Sequence, residues 1–389
     1  MEIKNYRFDR HELAGSLGDI GVLFPLAALL ISKNGMNPTL VFSFVGLLYL
    51  ITGMYFRVPV PVQPLKAVAV IAIASNLSPV QISTSGLEIG ILLLILVFIG
   101  GMKFLSKIFI PPIIRGIQLG IGLLLLYSGL KMVIQPWSAF SLGLGIFGIL
   151  MILGLSYNKH IPAALALIVS GFLFALFTNN FDGFSFSLLG PQEVTPIVPS
   201  WYDFYSAFIL LVIPQLPLTL GNSIFASTQA AQHYFNNAAE RVSEKSFSIS
   251  LGAANIIIGI FGGMPVCHGS GGFTSHYKFG ARTGGATIII GSLLLFLALV
   301  CGKLIILFFN YFPLPLLGSM LIIIGYEHSK LVKSVADSRE SLFIALVVGI
   351  LSFVTKNMMI ACVVGLGIHY VLILIKFVRA RYAEEKVEI

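Results

Sequence analysis

Long apolar runs with no polar face constrain this chain more than any other feature. Ile89 to Gly100, Leu119 to Leu130 and Ile288 to Val300 are apolar all round, so a helix built from any of them has no side to offer to water. Mean hydropathy is +0.95, with 57% hydrophobic and 10% charged residues. That is the composition of a polytopic membrane protein, not of a soluble domain. At roughly 20 residues per span, the chain divides into fourteen segments, near 12–32, 39–56, 63–76, 86–102, 112–131, 139–157, 160–178, 203–231, 246–262, 268–280, 284–303, 308–327, 339–354 and 358–378. The N-terminus is charged, and the apolar run from Leu13 is long enough to span, which argues against a cleaved signal peptide.

Charge placement tests this division independently. With the N-terminus inside and the sides alternating, nineteen of the 24 lysines and arginines fall on the cytoplasmic side, among them Lys4, Lys103, Lys107, Arg115, Lys159 and Lys386. Outside fall Lys33, Lys131, Lys303 and Lys356, while Lys66 lies within a segment. This asymmetry is the positive-inside pattern, and it accounts for the net charge of +8 without nucleic acid as a partner. The longest outer connection, 179–202, carries Asp182 and Glu193 and no basic residue. Cys267, Cys301 and Cys362 each lie in an apolar run, with neither a disulfide framework nor metal-ligand spacing.

Two proline breaks interrupt this pattern 204 residues apart: Pro59-Val60-Pro61-Val62-Gln63-Pro64 and Gly263-Met264-Pro265-Val266-Cys267-His268-Gly269. Proline cannot donate to a helical ladder, and unwound backbone at membrane depth is tolerated only inside protein or around a cavity. Each break opens the short third segment of its half. Seven segments precede the 179–202 connection and seven follow it, so the halves enter the membrane in opposite senses. The expectation is an all-α membrane protein built as a 7+7 inverted repeat: residues 1–178, an outer loop 179–202, residues 203–378 and a cytoplasmic tail 379–389. Its third and tenth segments are half-helices preceded by short extended strands. Breaks at corresponding places mark a substrate site at their meeting point, as in secondary transporters.

Two half-helix N-termini facing each other present free N–H groups and positive dipole ends, an arrangement suited to anions. Dipoles alone do not suffice. Burying a small anion costs several kcal/mol or more, while one dipole returns at most about 2 kcal/mol. Several hydrogen bonds of about 1.5–3 kcal/mol each and a fixed cation are also required. Lys66, in the first turn of the third segment, is the one lysine or arginine expected deep in the membrane.

At these residues the chain resembles the molybdate transporter (MOT1-type) family, a divergent branch of the sulfate permease superfamily. The matching stretches are Gly15-Ser16-Leu17-Gly18-Asp19-Ile20-Gly21, Pro59 to Lys66, Pro214-Gln215-Leu216-Pro217-Leu218-Thr219-Leu220-Gly221-Asn222-Ser223, and Gly263 to Gly272 continuing through Tyr277 to Arg282. The resemblance covers nearly the whole chain. It implies a seven-plus-seven fold with core and gate domains moving the oxyanion molybdate, and the STAS domain common among sulfate permeases is expected to be absent.

The substrate-binding candidates are Gln63, Lys66, Gln215, Cys267, His268, Gly269 and Ser270, with Asp19 and Asn222 in coupling or pairing roles. Gln63 offers an amide donor and Lys66 a point charge; the bland reading is that they shape and pair the break, with Lys66 bonding carbonyls or Asp19. Ser270 is equally suited to capping the second half-helix, with the glycines there for close packing. His268 could donate to substrate or carry a coupling proton. A carboxylate at Asp19 is costly in the membrane unless paired or protonated, which makes proton symport one reading and structural pairing the other. Gln215 and Asn222 either face the site or bond between helices. His276, Lys278 and Arg282 read as solvated or lipid-facing charge, and Glu327, His328 and Lys330 as loop residues.

No glycine run carries the Gly-Lys-Ser/Thr ending of a phosphate loop, and no nucleophile–base pair or metal cluster marks an enzyme. The reading is a secondary transporter without cofactor, in the cytoplasmic membrane with both termini inside, importing molybdate. Sulfate and tungstate are competing substrates, and an anion channel on the same fold is the rival class. Its partners are membrane lipids and its anion; a homodimer is compatible with the sequence.

Overall fold

The structure is a computed structural model and describes residues 2–3, 6–101, 110–135, 137–156, 158, 162–178 and 186–385. Lys4, Lys103, Lys107, Lys159, Asp182 and Lys386, used in the charge argument, lie outside the described residues.

After a small N-terminal hairpin (β1, Glu2–Ile3; β2, Tyr6–Arg7), the chain is helical nearly throughout. Helices α1 (Arg10–Ser16) and α2 (Ile20–Ser32) form one apolar stretch bent by 40° at the Leu17-Gly18-Asp19 turn. Helix α3 (Pro38–Phe56) starts where Asn37 caps the Leu40 N–H and Pro38 enters the first turn, and it stops at Arg57 in the left-handed region, φ 62°. Strand β3 (Gln63–Pro64) and half-helix α4 (Lys66–Ser75) follow, then α5 (Pro79–Phe98), opened by a Ser78–Gln81 capping box. Next come α6 (Pro111–Ile134), α7 (Ala139–Leu155) and α8 (Ala163–Thr178).

The second part opens with a helical stretch, α9 (Trp201–Ala239), that runs through Pro214 and Pro217. Neither proline supplies an N–H, and the ladder accommodates them with wide π-helical turns at Phe208–Val212 and Thr219–Ala226. Then follow α10 (Glu244–Ile260), β4 (Val266–Cys267), half-helix α11 (Ser270–Lys278), α12 (Gly285–Tyr311), α13 (Leu314–Lys330), α14 (Arg339–Thr355) and α15 (Met358–Glu385).

Among the described residues, six helices are long and apolar enough to cross a membrane, or seven if the bent α1–α2 pair is one span. The principal packing partners are α6 with α13 and α14, α3 with α12, and α5 with α10. Half-helix α4 sits inside this assembly, with every residue from Ala67 to Ile73 buried. An all-round apolar sequence can be stable only in such a place or facing lipid.

Two expectations need correction. Glu327, His328 and Lys330 are not loop residues, because α13 continues to Lys330. His276 is not solvated: it is fully buried and its Nδ1 bonds the Gly15 carbonyl at 2.8 Å, tying α11 to α1. Lys278 and Arg282 are exposed as expected, and the Arg282 guanidinium lies 3.7 Å from the Tyr277 ring centroid.

Candidate functional site

The two proline breaks meet. Strands β3 and β4 pair antiparallel with Gln63 opposite Cys267 and Pro64 opposite Val266, and the Leu65 N–H donates to the Pro265 carbonyl at 3.0 Å. Proline removes intrahelical donors from both segments, and this two-stranded ladder satisfies part of the backbone they free. Asn255 of α10 completes the seal: its Oδ1 accepts the Val266 N–H and its Nδ2 donates to the Val266 carbonyl, both at 2.8 Å.

Behind the ladder lies a buried polar knot. Asp19 accepts a short hydrogen bond from the Gln63 side-chain amide and another from the Tyr49 hydroxyl at 3.4 Å. Gln63 is fully inaccessible, and its Oε1 has no partner among the described residues. Gly269 permits this arrangement, since a Cβ there would lie 2.1 Å from Gln63 Oε1. Among the described residues Lys66 makes no ion pair with Asp19; the amide and the phenol take the carboxylate instead.

In front of the ladder is a cavity of about 490 Å³. Lys66 from α4, Asn222 and Ser223 from α9, and Cys267 and Ser270 around β4 and α11 line its inner wall. Arg115 and Gln118 of α6 and Glu327 and His328 of α13 also line the cavity. Lys66 is therefore not the only cation at this depth. Arg115, one turn into α6, is half-buried, and its Nη1 donates to Gln118 Oε1 at 2.8 Å. Glu327 pairs with Lys330 at 3.2 Å.

The two half-helix ends are not equivalent, which corrects the expectation that both present free N–H groups. At α4, Gln215 Oε1 accepts the Ala67 N–H at 2.8 Å and the Val68 N–H at 3.4 Å, while Gln215 Nε2 donates to Thr219 Oγ1 at 3.1 Å. Gln215 lines the cavity, but its oxygen serves as a cap supplied from α9. At α11, Gly269 occupies the cap position and has no side chain to accept a hydrogen bond. Ser270 does not cap its helix; its hydroxyl donates to Asn222 Oδ1 at 2.7 Å. The α11 end, with Ser270 and Gly271 at the cavity wall, is the open one.

His268 faces away from the cavity. Both ring nitrogens are engaged, Nδ1 with the Pro61 carbonyl at 2.9 Å and Nε2 with Ser250 Oγ at 3.1 Å, and the side chain is fully buried. Of the residues singled out from sequence, the cavity collects Lys66, Gln215, Asn222, Cys267 and Ser270, whereas Gln63, Asp19, His268 and Gly269 build the wall behind them. Arg115, Gln118, Ser223, Glu327 and His328 were not foreseen. A signal existed for the first: Pro111-Pro112 is a helix-opening pair, which puts Arg115 one turn inside the helix, although the charge argument counted it on the cytoplasmic side.

Comparison with known proteins agrees with this architecture. Residues 11–125 and 207–327 match the model of a family described as molybdate transporters of the MFS superfamily. Molybdate transporter 2 of Arabidopsis thaliana is 31% identical, over 94% of this chain and 86% of its own length. Among solved structures, the transmembrane domain of a cyanobacterium bicarbonate transporter, BicA, superposes with a TM-score of 0.69 at 16% identity, covering 93% of this chain and 98% of that one. The overall structure of SLC26A9 superposes with a TM-score of 0.68 at 16% identity, covering 97% of this chain and 66% of that one. At such identities the two structures speak to the fold.

Proposed function

The chain belongs to the molybdate transporter family, and from that premise we propose that it is a secondary active transporter importing molybdate across the cytoplasmic membrane. The observation that carries this reading is the cavity at the junction of the two breaks, where Lys66 of α4 and Arg115 of α6 both line the space and the uncapped α11 terminus forms part of the lining. A tetrahedral dianion placed there gains two cations, the Ser223 hydroxyl and the first N–H groups of α11, while the Ser270 hydroxyl stays with Asn222 Oδ1. Hydrogen bonds to a charged group contribute about 1.5–3 kcal/mol each, so such a set offsets a desolvation cost of several kcal/mol.

The proposed architecture is the 7+7 inverted repeat, residues 1–178 and 203–378. Reciprocal helix crossings support it. A Cβ on Gly46 of α3 would lie 2.8 Å from the Gly291 carbonyl of α12, and one on Gly291 would lie 2.7 Å from that of Gly46. Gly90 of α5 and Gly252 of α10 stand in the same relation, at 2.7 and 3.2 Å. Exchanging the two halves maps one crossing onto the other. Helices α6 and α13 cross through Gly122 with Gly325 and Gly129 with Gly318, as a pair related to itself would. Glycine at these points lets backbones approach closely in the membrane.

In this reading segments 1–3 and 8–10 form a core that carries the anion and moves against a gate of segments 5–7 and 12–14. With both termini inside, Arg115, Glu327 and His328 lie toward the cytoplasm, and the cavity is open to that side. The deciding experiment is uptake of labelled molybdate into proteoliposomes, with sulfate and tungstate as competitors and the pH gradient varied. Saturable uptake that responds to an imposed gradient supports a coupled carrier. Flux without saturation would sink the carrier reading in favour of a channel.

A further inference from the structure

A second cavity of about 490 Å³ lies at the other end of half-helix α4, beside Ala74 and Asn76. Along the helix Ala74 is eight residues from Lys66, about 12 Å at 1.5 Å per residue. Three lysines from three different elements line it: Lys33 just after α2, Lys131 in the last turn of α6, and Lys356 just after α14. No acidic residue lines this cavity, and none of the three lysines forms an ion pair among the described residues. Gln135, Ser128 and Tyr127 add neutral donors.

A structural explanation exists for each lysine singly. Each follows or closes a helix, where a cation complements the C-terminal dipole, and Lys33 Nζ donates to the Ile73 carbonyl at 3.3 Å. That account does not explain why three such ends aim their charges into one concavity, since like charges brought together repel. Lys33 registers the cost: burial first, and then Lys131 and Lys356, hold its ammonium below the usual lysine range. Lipid-facing lysines would instead spread their heads toward separate headgroups.

We propose that Lys33, Lys131 and Lys356 form a second oxyanion-binding site, an antechamber on the face opposite the Arg115–His328 opening. The ligand class, a dissolved tetrahedral dianion, rests on the transport reading above. A dianion there removes the mutual repulsion and raises the local substrate concentration at the far end of α4. Focused charge of this kind raises association rates about 10- to 1,000-fold, and salt abolishes the gain.

The test uses the full chain in neutral-lipid nanodiscs and proteoliposomes. Equilibrium binding of labelled molybdate should give two sites in the wild type, one in Lys66→Ala, and none when K33Q, K131Q and K356Q are added to Lys66→Ala. In uptake from the lysine face at low salt, the triple glutamine variant alone should raise KM about tenfold, and the difference should vanish near about 1 M salt. Unchanged stoichiometry in the triple variant, or a KM difference that salt does not touch, overturns the antechamber. Loss of the lysine-dependent molybdate binding when a small fraction of anionic lipid is included also overturns it, because the site would then belong to a headgroup phosphate. If the wild type binds two anions but transports none, the transport reading fails and the lysine site stands.

Discussion

Lys66 and Arg115 line the same cavity but sit in different surroundings, which gives them different roles in the proposed site. Lys66 begins a buried half-helix and has no ion-pair partner among the described residues, so its charge is available to a ligand. Removing one member of a desolvated charge pair costs about 2–5 kcal/mol, so Lys66→Ala should cut molybdate uptake by at least about 30-fold while the purified protein keeps its wild-type elution profile. Normal uptake by this variant would take Lys66 out of the site. Arg115 is half-buried and already engaged with Gln118. Its truncation should raise KM by about tenfold or more, the loss of one charge-assisted hydrogen bond, with a smaller effect on kcat. A fall in kcat at constant KM would show that Arg115 acts on the conformational change instead.

At the scale of elements, the asymmetry between the two half-helices decides several roles. Helix α4 has its first N–H groups closed by Gln215, reaching from the α-helical stretch of α9 between its two π-helical turns. Gln215→Leu strands two buried donors and should destabilise the protein by about 1–3 kcal/mol, read as a lowered Tm. A change in molybdate affinity with no change in Tm would reinstate Gln215 as a ligand. His268 joins the extended break before α4 to α10 through its two ring nitrogens. His268→Phe should likewise lower Tm by removing both hydrogen bonds, and the dependence of the remaining uptake on a pH gradient should persist. If gradient dependence is lost while Tm is retained, His268 carries a coupling proton.

For the whole molecule, the cavity lies between elements of the proposed core and the proposed gate, so holding its walls together should arrest transport. Ala226 on α9 and Leu331 after α13 both line it. A bifunctional thiol reagent joining A226C to L331C should stop uptake, and cleaving the linker should restore it. Full cross-linking with undiminished uptake would exclude relative motion of these walls. The native Cys267 also lines the cavity, so the single variants serve as controls.

Much of this was legible in the chain itself, because membrane insertion and proline chemistry act locally. All-round apolar runs, lysine and arginine bias, and missing N–H groups at Pro59, Pro61, Pro64 and Pro265 need no knowledge of neighbours. They pointed to a largely helical membrane chain and to the two half-helices that follow the prolines, but not to the 40° bend between α1 and α2. The pairing of Gln63 with Cys267 and the collection of Lys66, Cys267 and Ser270 at one cavity follow the same line of inference. What the sequence could not decide is which way each polar side chain turns. Gln63 and His268 lie in the breaks yet point into protein, where Asp19, the Pro61 carbonyl and Ser250 compete for them, while Arg115, counted on the cytoplasmic side, and His328, read as a loop residue, line the cavity. These hydrogen bonds depend on partners 18 to 207 residues away in the chain, so only the tertiary structure could separate the residues that line the cavity from those that hold the wall behind it.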